Sequence, residues 1–272
     1  MKTFRILFIG DVVGETGCHM FGKHIDALRK KYKVDALIVN GENSAQGGRG
    51  ITPRLADFFK EHGADVVTTG NHVWYKREIY SYLAANHDVL RPANFPHGTP
   101  GVGVTTFNCA GTTVGVINVQ GRVFMREHTD CPFQAVDSLL TYLRDKTKII
   151  LIDFHAEATS EKMAMGFHVD GKVSAVVGTH THVPTADERI LPNGTAFISD
   201  VGMVGSLNSM LGMKKEPIIA HFLTQLPTRF EVDTTMPVVL NSVLIEVDQE
   251  TGRALKIERI QIIDDQLDIQ GD

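Results

Sequence analysis

Ile6-Leu7-Phe8-Ile9-Gly10-Asp11 sets four apolar residues directly before a glycine and a carboxylate. A short unbroken apolar run of this kind reads as a buried strand, and the glycine suits a sharp exit from it. The same grammar recurs along the chain. Leu37-Ile38-Val39 leads into Asn40-Gly41-Glu42-Asn43, and Asp65-Val66-Val67-Thr68-Thr69 into Gly70-Asn71-His72. Ile149 to Phe154 runs into His155, and Val173 to Val177 into Gly178-Thr179-His180-Thr181-His182. Five apolar runs thus end in residues able to carry chemistry. In α/β sheets ligands bind beyond the carboxyl ends of strands, so the five ends predict one shared rim.

Between the runs lie helical stretches. Residues near 17–32 end in lysine and arginine, as a helix C-terminus prefers. Thr52 and Pro53 supply an N-cap and a first-turn proline, and further helices are expected around 76–86 and near 132–146. Strand, helix, strand in alternation predicts mainly parallel pairing. Gly101 to Val119 is Gly-rich and β-branched and reads as antiparallel strands. Pro192-Asn193-Gly194 turns a hairpin between Ile190-Leu191 and Ala196-Phe197-Ile198, and residues 239–263 form a last hairpin around Gln249-Glu250-Thr251-Gly252. No repeat or low-complexity linker interrupts the chain, so residues 1–272 read as one α/β domain, two facing mixed sheets with helices outside.

Composition narrows the function classes. Hydrophobic residues at 43% and charged residues at 22% are ordinary for a packed domain. The net charge of -5, without a lysine and arginine stripe, argues against an extended nucleic-acid groove. Cys18, Cys109 and Cys131 fit no zinc or CxxC spacing and read as reduced thiols of a cytoplasmic protein. The apolar run at the N-terminus is too short for a signal peptide, and no run approaches the roughly 20 apolar residues of a membrane span.

Asp11, Glu42, Asn43, Asn71, His155, His180 and His182 offer carboxylate, amide and imidazole donors and no thiolate. Mixed nitrogen and oxygen donors suit manganese, iron or zinc. Seven are too many for one ion with open positions and about right for two ions sharing a carboxylate. Singly, each has a plainer reading: Asp11 as a cap, Asn43 and Asn71 as turn residues, His155 as a core histidine. Together, at five strand ends, they predict a metal site. Asp153 and Glu157 flank His155 and are candidates to orient it, Asp200 is a candidate for the same rim, and Arg122 for a phosphate contact or a surface ion pair.

The order Gly-Asp, Gly-Glu-Asn, Gly-Asn-His, a lone histidine and Gly-Thr-His-Thr-His resembles the calcineurin-like metallophosphoesterases. Val13 stands where that superfamily has its first histidine, and Glu42-Asn43 replaces its bridging aspartate segment. Those departures resemble the YmdB-like bacterial phosphodiesterases, as do Arg91-Pro92-Ala93-Asn94, Asn118 to Met125, Asp153 to Glu157 and Asp200-Val201-Gly202-Met203. The resemblance implies a four-layer α/β/β/α sandwich. It implies one ion on Asp11, Asn43 and His182, a second on Asn71, His155 and His180, and Glu42 between them, the ions being iron or manganese. It further implies a homo-oligomer acting on cyclic nucleotides, notably 2′,3′-cyclic ones. The expected reaction is in-line attack by a metal-bridging hydroxide, with His72 as general acid by its place in the motif. Rival readings are a regulatory protein that holds metal and nucleotide with little turnover, a short-RNA nuclease of the same fold, and an amidohydrolase. The last normally places its His-x-His on the first strand rather than at 180–182.

Overall fold

The computed structural model describes residues 2–267; Met1 and residues 268–272 of the expected 1–272 domain lie outside the described residues. The chain runs β1 (Thr3–Ile9), β2 (Asp11–Val12), α1 (Gly14–Tyr32), β3 (Ala36–Asn40), α2 (Pro53–Glu61) and β4 (Val66–Thr68). A 3-10 turn (Val73–Tyr75), α3 (Ile79–Ala85), β5 (Val89–Leu90), β6 (Val104–Cys109), β7 (Thr112–Gln120) and α4 (Pro132–Leu143) follow. The second half adds β8 (Ile149–His155), α5 (Thr159–His168), β9 (Ala175–Thr179), β10 (Arg189–Ile190), β11 (Ala196–Ile198) and β12 (Met203–Ser206). It closes with α6 (Lys215–Thr224), β13 (Val238–Asp248) and β14 (Ala254–Asp264).

Two sheets result. The first has the order β2-β12-β13-β1-β3-β4-β5, with β14 also paired to β13, and the second β10-β11-β9-β8-β7-β6. β1, β3, β4 and β5 are parallel, as are β7, β8, β9 and β11. Side chains alternate across each strand, and this sorts the core into three layers. Phe4, Ile6 and Phe8 of β1 meet Ile149 and Leu151 of β8 between the sheets. Leu7 and Ile9 face the other way, onto Met20, Phe21 and Ile25 of α1 and Phe59 of α2. Ile150, Ile152 and Phe154 of β8 pack under Val136 and Leu140 of α4 and Met165 of α5. Helices therefore cover both outer faces, and the architecture is the four-layer α/β/β/α sandwich.

Thr52 caps α2 through its hydroxyl, which accepts from the Leu55 amide at 3.3 Å, with Pro53 in the first turn. The helix expected around 76–86 is the shorter α3, Ile79–Ala85, and the 3-10 turn lies just before that stretch. The strand read at Val173 to Val177 sits two residues later, because Ser174 still belongs to the connection and bonds Ile150. α5, α6 and the short strands β2, β5 and β12 are not among the elements that the sequence predicts. The three cysteines are free, and among the described residues no helix is long and apolar enough to cross a membrane.

Candidate metal centre

Strand register brings the five segments together. Asn40 pairs with Thr68 across β3 and β4, which sets Glu42 level with Gly70. His155 pairs with Thr179 across β8 and β9, which sets His155 beside His180. Asp11 begins β2 with its amide bonded to the Gly202 carbonyl at 3.0 Å. Gly70 closes the gap between the sheets: a β-carbon there would strike the His155 ring and the Glu42 carboxylate.

The three histidines are held in one sense. Thr179 gives its only hydroxyl proton to Asp153 at 2.7 Å, so it must accept from His155 Nδ1 at 2.9 Å. His180 Nε2 lies 3.2 Å from Glu157, and His182 Nδ1 donates to the Leu211 carbonyl at 3.0 Å. Each outer nitrogen thus has an acceptor for its proton, which leaves the inner nitrogen as a lone pair. His155 Nε2 faces His180 Nδ1 at 3.1 Å, Glu42 Oε1 at 3.1 Å and Asn71 Oδ1 at 3.0 Å. These four atoms are all acceptors, and mutual repulsion disfavours the cluster unless a cation or a proton joins it.

The carboxylates repeat the argument. Asp11, Glu42 and Asp153 are fully buried, and Asp11 Oδ1 has no hydrogen-bond partner. Burial pushes the Asp11 carboxyl well above its usual range; His155 pulls it back, while Asp200, Glu42 and Asp153 add to the rise. Burial acts in the same direction on Glu42, but the charge and hydrogen bonds of His155 and His72 outweigh it and hold Glu42 well below the usual range. Burial would lower His155, yet Glu42, Asp11 and Asp153 raise it to about 9, so a proton fills the place of a cation when none is bound. Burial and the neighbouring His155 push His180 down to about 3, which keeps it neutral. Glu42, His155 and His180 each bring a ligand atom within 4.8 Å of the others, a group able to hold a metal ion. A buried unpaired oxygen, facing lone pairs and a donor set of nitrogen and oxygen fit such an ion.

All seven residues read from the sequence meet here, and His72 stands with them. Asp11 Oδ2 accepts from the His180 amide at 3.2 Å, and Asp11 Oδ1 lies 3.8 Å from His182 Nε2. Asn43 turns its amide nitrogen inward, 3.1 Å from Glu42 Oε1 and 3.0 Å from His182 Nε2, while its oxygen takes His72 Nδ1 at 2.8 Å. The two ends of an amide are nearly isosteric. Turned by half a rotation, Asn43 gives its oxygen to the centre and its N–H to His72. Asp153 and Glu157 both orient histidines, Asp153 through Thr179 and Glu157 at His180 rather than His155. The Arg122 side chain is exposed, and its backbone amide bonds Glu161.

Asp200 lies beneath the rim rather than on it. Its Oδ2 accepts from Lys162 Nζ at 2.7 Å, from the Thr181 amide at 3.1 Å and from the Thr181 hydroxyl at 2.8 Å. The clamp holds the loop on which His180 and His182 take φ of 100° and 67°, values that favour glycine. Lys162 is 1% exposed, so Lys162→Met strands a buried carboxylate. We expect this substitution to lower stability by about 3–5 kcal/mol in urea unfolding. Wild-type stability in that variant would show that the ion pair does not hold the loop.

Residues 7–260 match the model of the YmdB-like protein family. A 2′,3′-cyclic-nucleotide 2′-phosphodiesterase of Bacillus subtilis (strain 168) is 50% identical over 263 residues, covering 97% of this chain and 98% of that protein. A solved structure described as a novel phosphatase of Mycoplasma pneumoniae superposes with a TM-score of 0.91 at 35% identity, covering 97% of this chain and 95% of that one. A hypothetical protein from Thermus thermophilus superposes with a TM-score of 0.88 at 40% identity, covering 96% of this chain and 100% of that one. The five strand ends and the buried acceptor cluster on which they close are thus carried by a chain that belongs to the YmdB-like family.

Proposed function

We propose that this protein is a metal-dependent phosphodiesterase that hydrolyses 2′,3′-cyclic nucleotides. One observation carries the reading: Glu42, His155 and His180 bring their ligand atoms together beside a buried Asp11 whose oxygen has no partner, in a chain 50% identical to the Bacillus 2′,3′-cyclic-nucleotide 2′-phosphodiesterase. Asp11, Asn43 and His182 would hold one ion, Asn71, His155 and His180 the other, with Glu42 shared; iron or manganese suits the donors. Two such ions would supply an activated water and neutralise phosphate charge. The chain's own residues do the rest. Thr179, Glu157 and the Leu211 carbonyl fix the three rings, and His72, on the wall of the cavity, hands a proton to the leaving oxygen.

The test is hydrolysis of 2′,3′-cyclic AMP beside 3′,5′-cyclic AMP with Mn²⁺ or Fe²⁺ supplied. Turnover of the 2′,3′ compound is the expected result. A protein that holds metal and opens neither compound would move the reading to another phosphoester or to regulatory binding.

We further propose that residues 1–272 act as one cytoplasmic domain, without extended nucleic acid or membrane as partner, and as a homo-oligomer. α6 supports self-association: none of its residues is buried, and Phe222 and Leu223 are 68% and 80% exposed. Phe222→Asp with Leu223→Asp is expected to lower the mass in solution, measured by light scattering, with turnover kept. An unchanged mass would remove α6 from the contact.

A further inference from the structure

Phe124 is out of keeping with a residue kept for stability. It is 85% exposed, and its φ of 63° lies in the left-handed region. The loop that carries it is nevertheless firmly held. Glu161, 8% exposed, accepts from the Arg122 amide at 3.0 and 3.1 Å and from the Val123 amide at 3.2 Å. Gln120 Nε2 donates to Glu127 at 3.2 Å, and the Met125 amide bonds the Arg122 carbonyl at 3.3 Å. A buried carboxylate spent on two loop amides, to present one strained and exposed aromatic ring, indicates that the ring has something to meet.

Phe124 lines a cavity of about 170 Å³ that ends at Asn71, His72 and His180. Tyr75 lines it too, edge-on to His72 at 4.9 Å between ring centroids and under the Arg49 guanidinium at 5.8 Å. Arg126 and Glu127 add a donor and an acceptor. A second cavity of about 290 Å³ also reaches His72 and His180, and it sets apolar residues such as Met210, Met213 and Phe230 beside Arg49 and Glu157. A nucleobase has two π faces and a polar edge. The aromatic ring of the second cavity, Phe230, is 38% exposed, whereas the Phe124 ring is 85% exposed and presents an open face for stacking. The Phe124 cavity offers partners for face and edge.

We propose that the Phe124 loop is the nucleobase platform of this site. The base of the cyclic nucleotide stacks on the Phe124 ring, its edge meets Arg126 and Glu127, and its phosphate lies at the Asn71, His72 and His180 end. This rests on the cyclic-nucleotide reading above. Phe124 is thus a specificity residue, and it acts on binding rather than on bond breaking.

The test compares 2′,3′-cyclic AMP with glycerol 1,2-cyclic phosphate, a five-membered cyclic diester without a base. Phe124→Ala is expected to raise KM for the nucleotide roughly tenfold or more, with kcat and the base-free diester little changed. Phe124→Trp restores the low KM because it restores the π face. An equal effect on both substrates, or no effect, overturns the platform. A base-selective rise in KM from Phe230→Ala in place of Phe124→Ala puts the base in the second cavity and overturns it as well. Absence of nucleotide turnover in the wild-type protein sinks the nucleotide reading and the platform with it. Nucleotide turnover without a selective effect of Phe124→Ala sinks the platform alone.

Discussion

Glu42→Gln should lower turnover of the cyclic diester by roughly 10²–10³-fold while the protein stays folded. The size follows from what the carboxylate touches. Glu42 is fully buried, with Oε2 accepting the His72 amide at 3.2 Å. That backbone donor fixes which way a glutamine sits: its oxygen must stay at the Oε2 position. The amide nitrogen then takes the place of Oε1, 3.1 Å from both His155 Nε2 and Asn43 Nδ2. Oε1 is the atom that stands between the His155, His180 and Asn71 group and the Asn43, His182 and Asp11 group. On the proposed two-ion arrangement the variant would put a donor where both ions need an acceptor, and it would remove the negative charge they share. Metal retained after dialysis, measured by elemental analysis, should fall in parallel, because losing a ligand proposed to serve both ions would weaken both positions at once. Full activity with full metal content would place Glu42 outside the centre. A stable fold with unchanged metal and lost activity would move its role to orienting His72.

The fold's outline and the centre's inner residues were legible because both are written in short local patterns. An apolar run, a glycine and a polar residue mark a strand end, and parallel strands bring such ends to one side. What holds those residues was not legible, because its partners are distant in sequence and individually bland. Thr179 reads as a strand residue until Asp153 is seen to take its proton and so fix His155. α5 was missed for a related reason. Its buried residues are Glu161, Lys162, Met165 and Gly166, so the side that faces the core carries two charges and a glycine. Hydrophobic periodicity fails on such a helix. Each oddity has a task in the structure. Glu161 grips the amides of residues 122 and 123, Lys162 pairs with Asp200 under the histidine loop, and Gly166 leaves room for the Phe197 ring. The helix is hard to read because it serves two loops of the site rather than the core alone.

His72→Ala should keep the metal and lose about 10²–10⁴-fold in turnover of 2′,3′-cyclic AMP. The ring is held without any need for a metal. Its backbone amide bonds Glu42, its Nδ1 meets Asn43 at 2.8 Å, and its edge packs on Tyr75. Removing the side chain keeps the backbone amide on Glu42 and leaves the rings of His155, His180 and His182 in place. Because Nδ1 is occupied by Asn43, Nε2 is the atom free to face the cavity walls that His72 lines. The proton donor has to be the imidazolium, because a neutral ring that gave up its only N–H would be left as an imidazolate; its Nδ1–H meets the Asn43 oxygen at 2.8 Å, and its Nε2–H is the proton a leaving oxygen can take, which leaves a neutral ring. An acid in that position matters most when the leaving group is a poor one. A ribose alkoxide needs the proton, whereas a p-nitrophenolate leaves without it. Loss confined to the ribose ester, with a p-nitrophenyl diester turned over nearly as fast as by the wild type, is the result expected of a proton donor. Equal losses on the two substrates would instead make His72 a wall that positions the phosphate, and the proton would have to come from solvent.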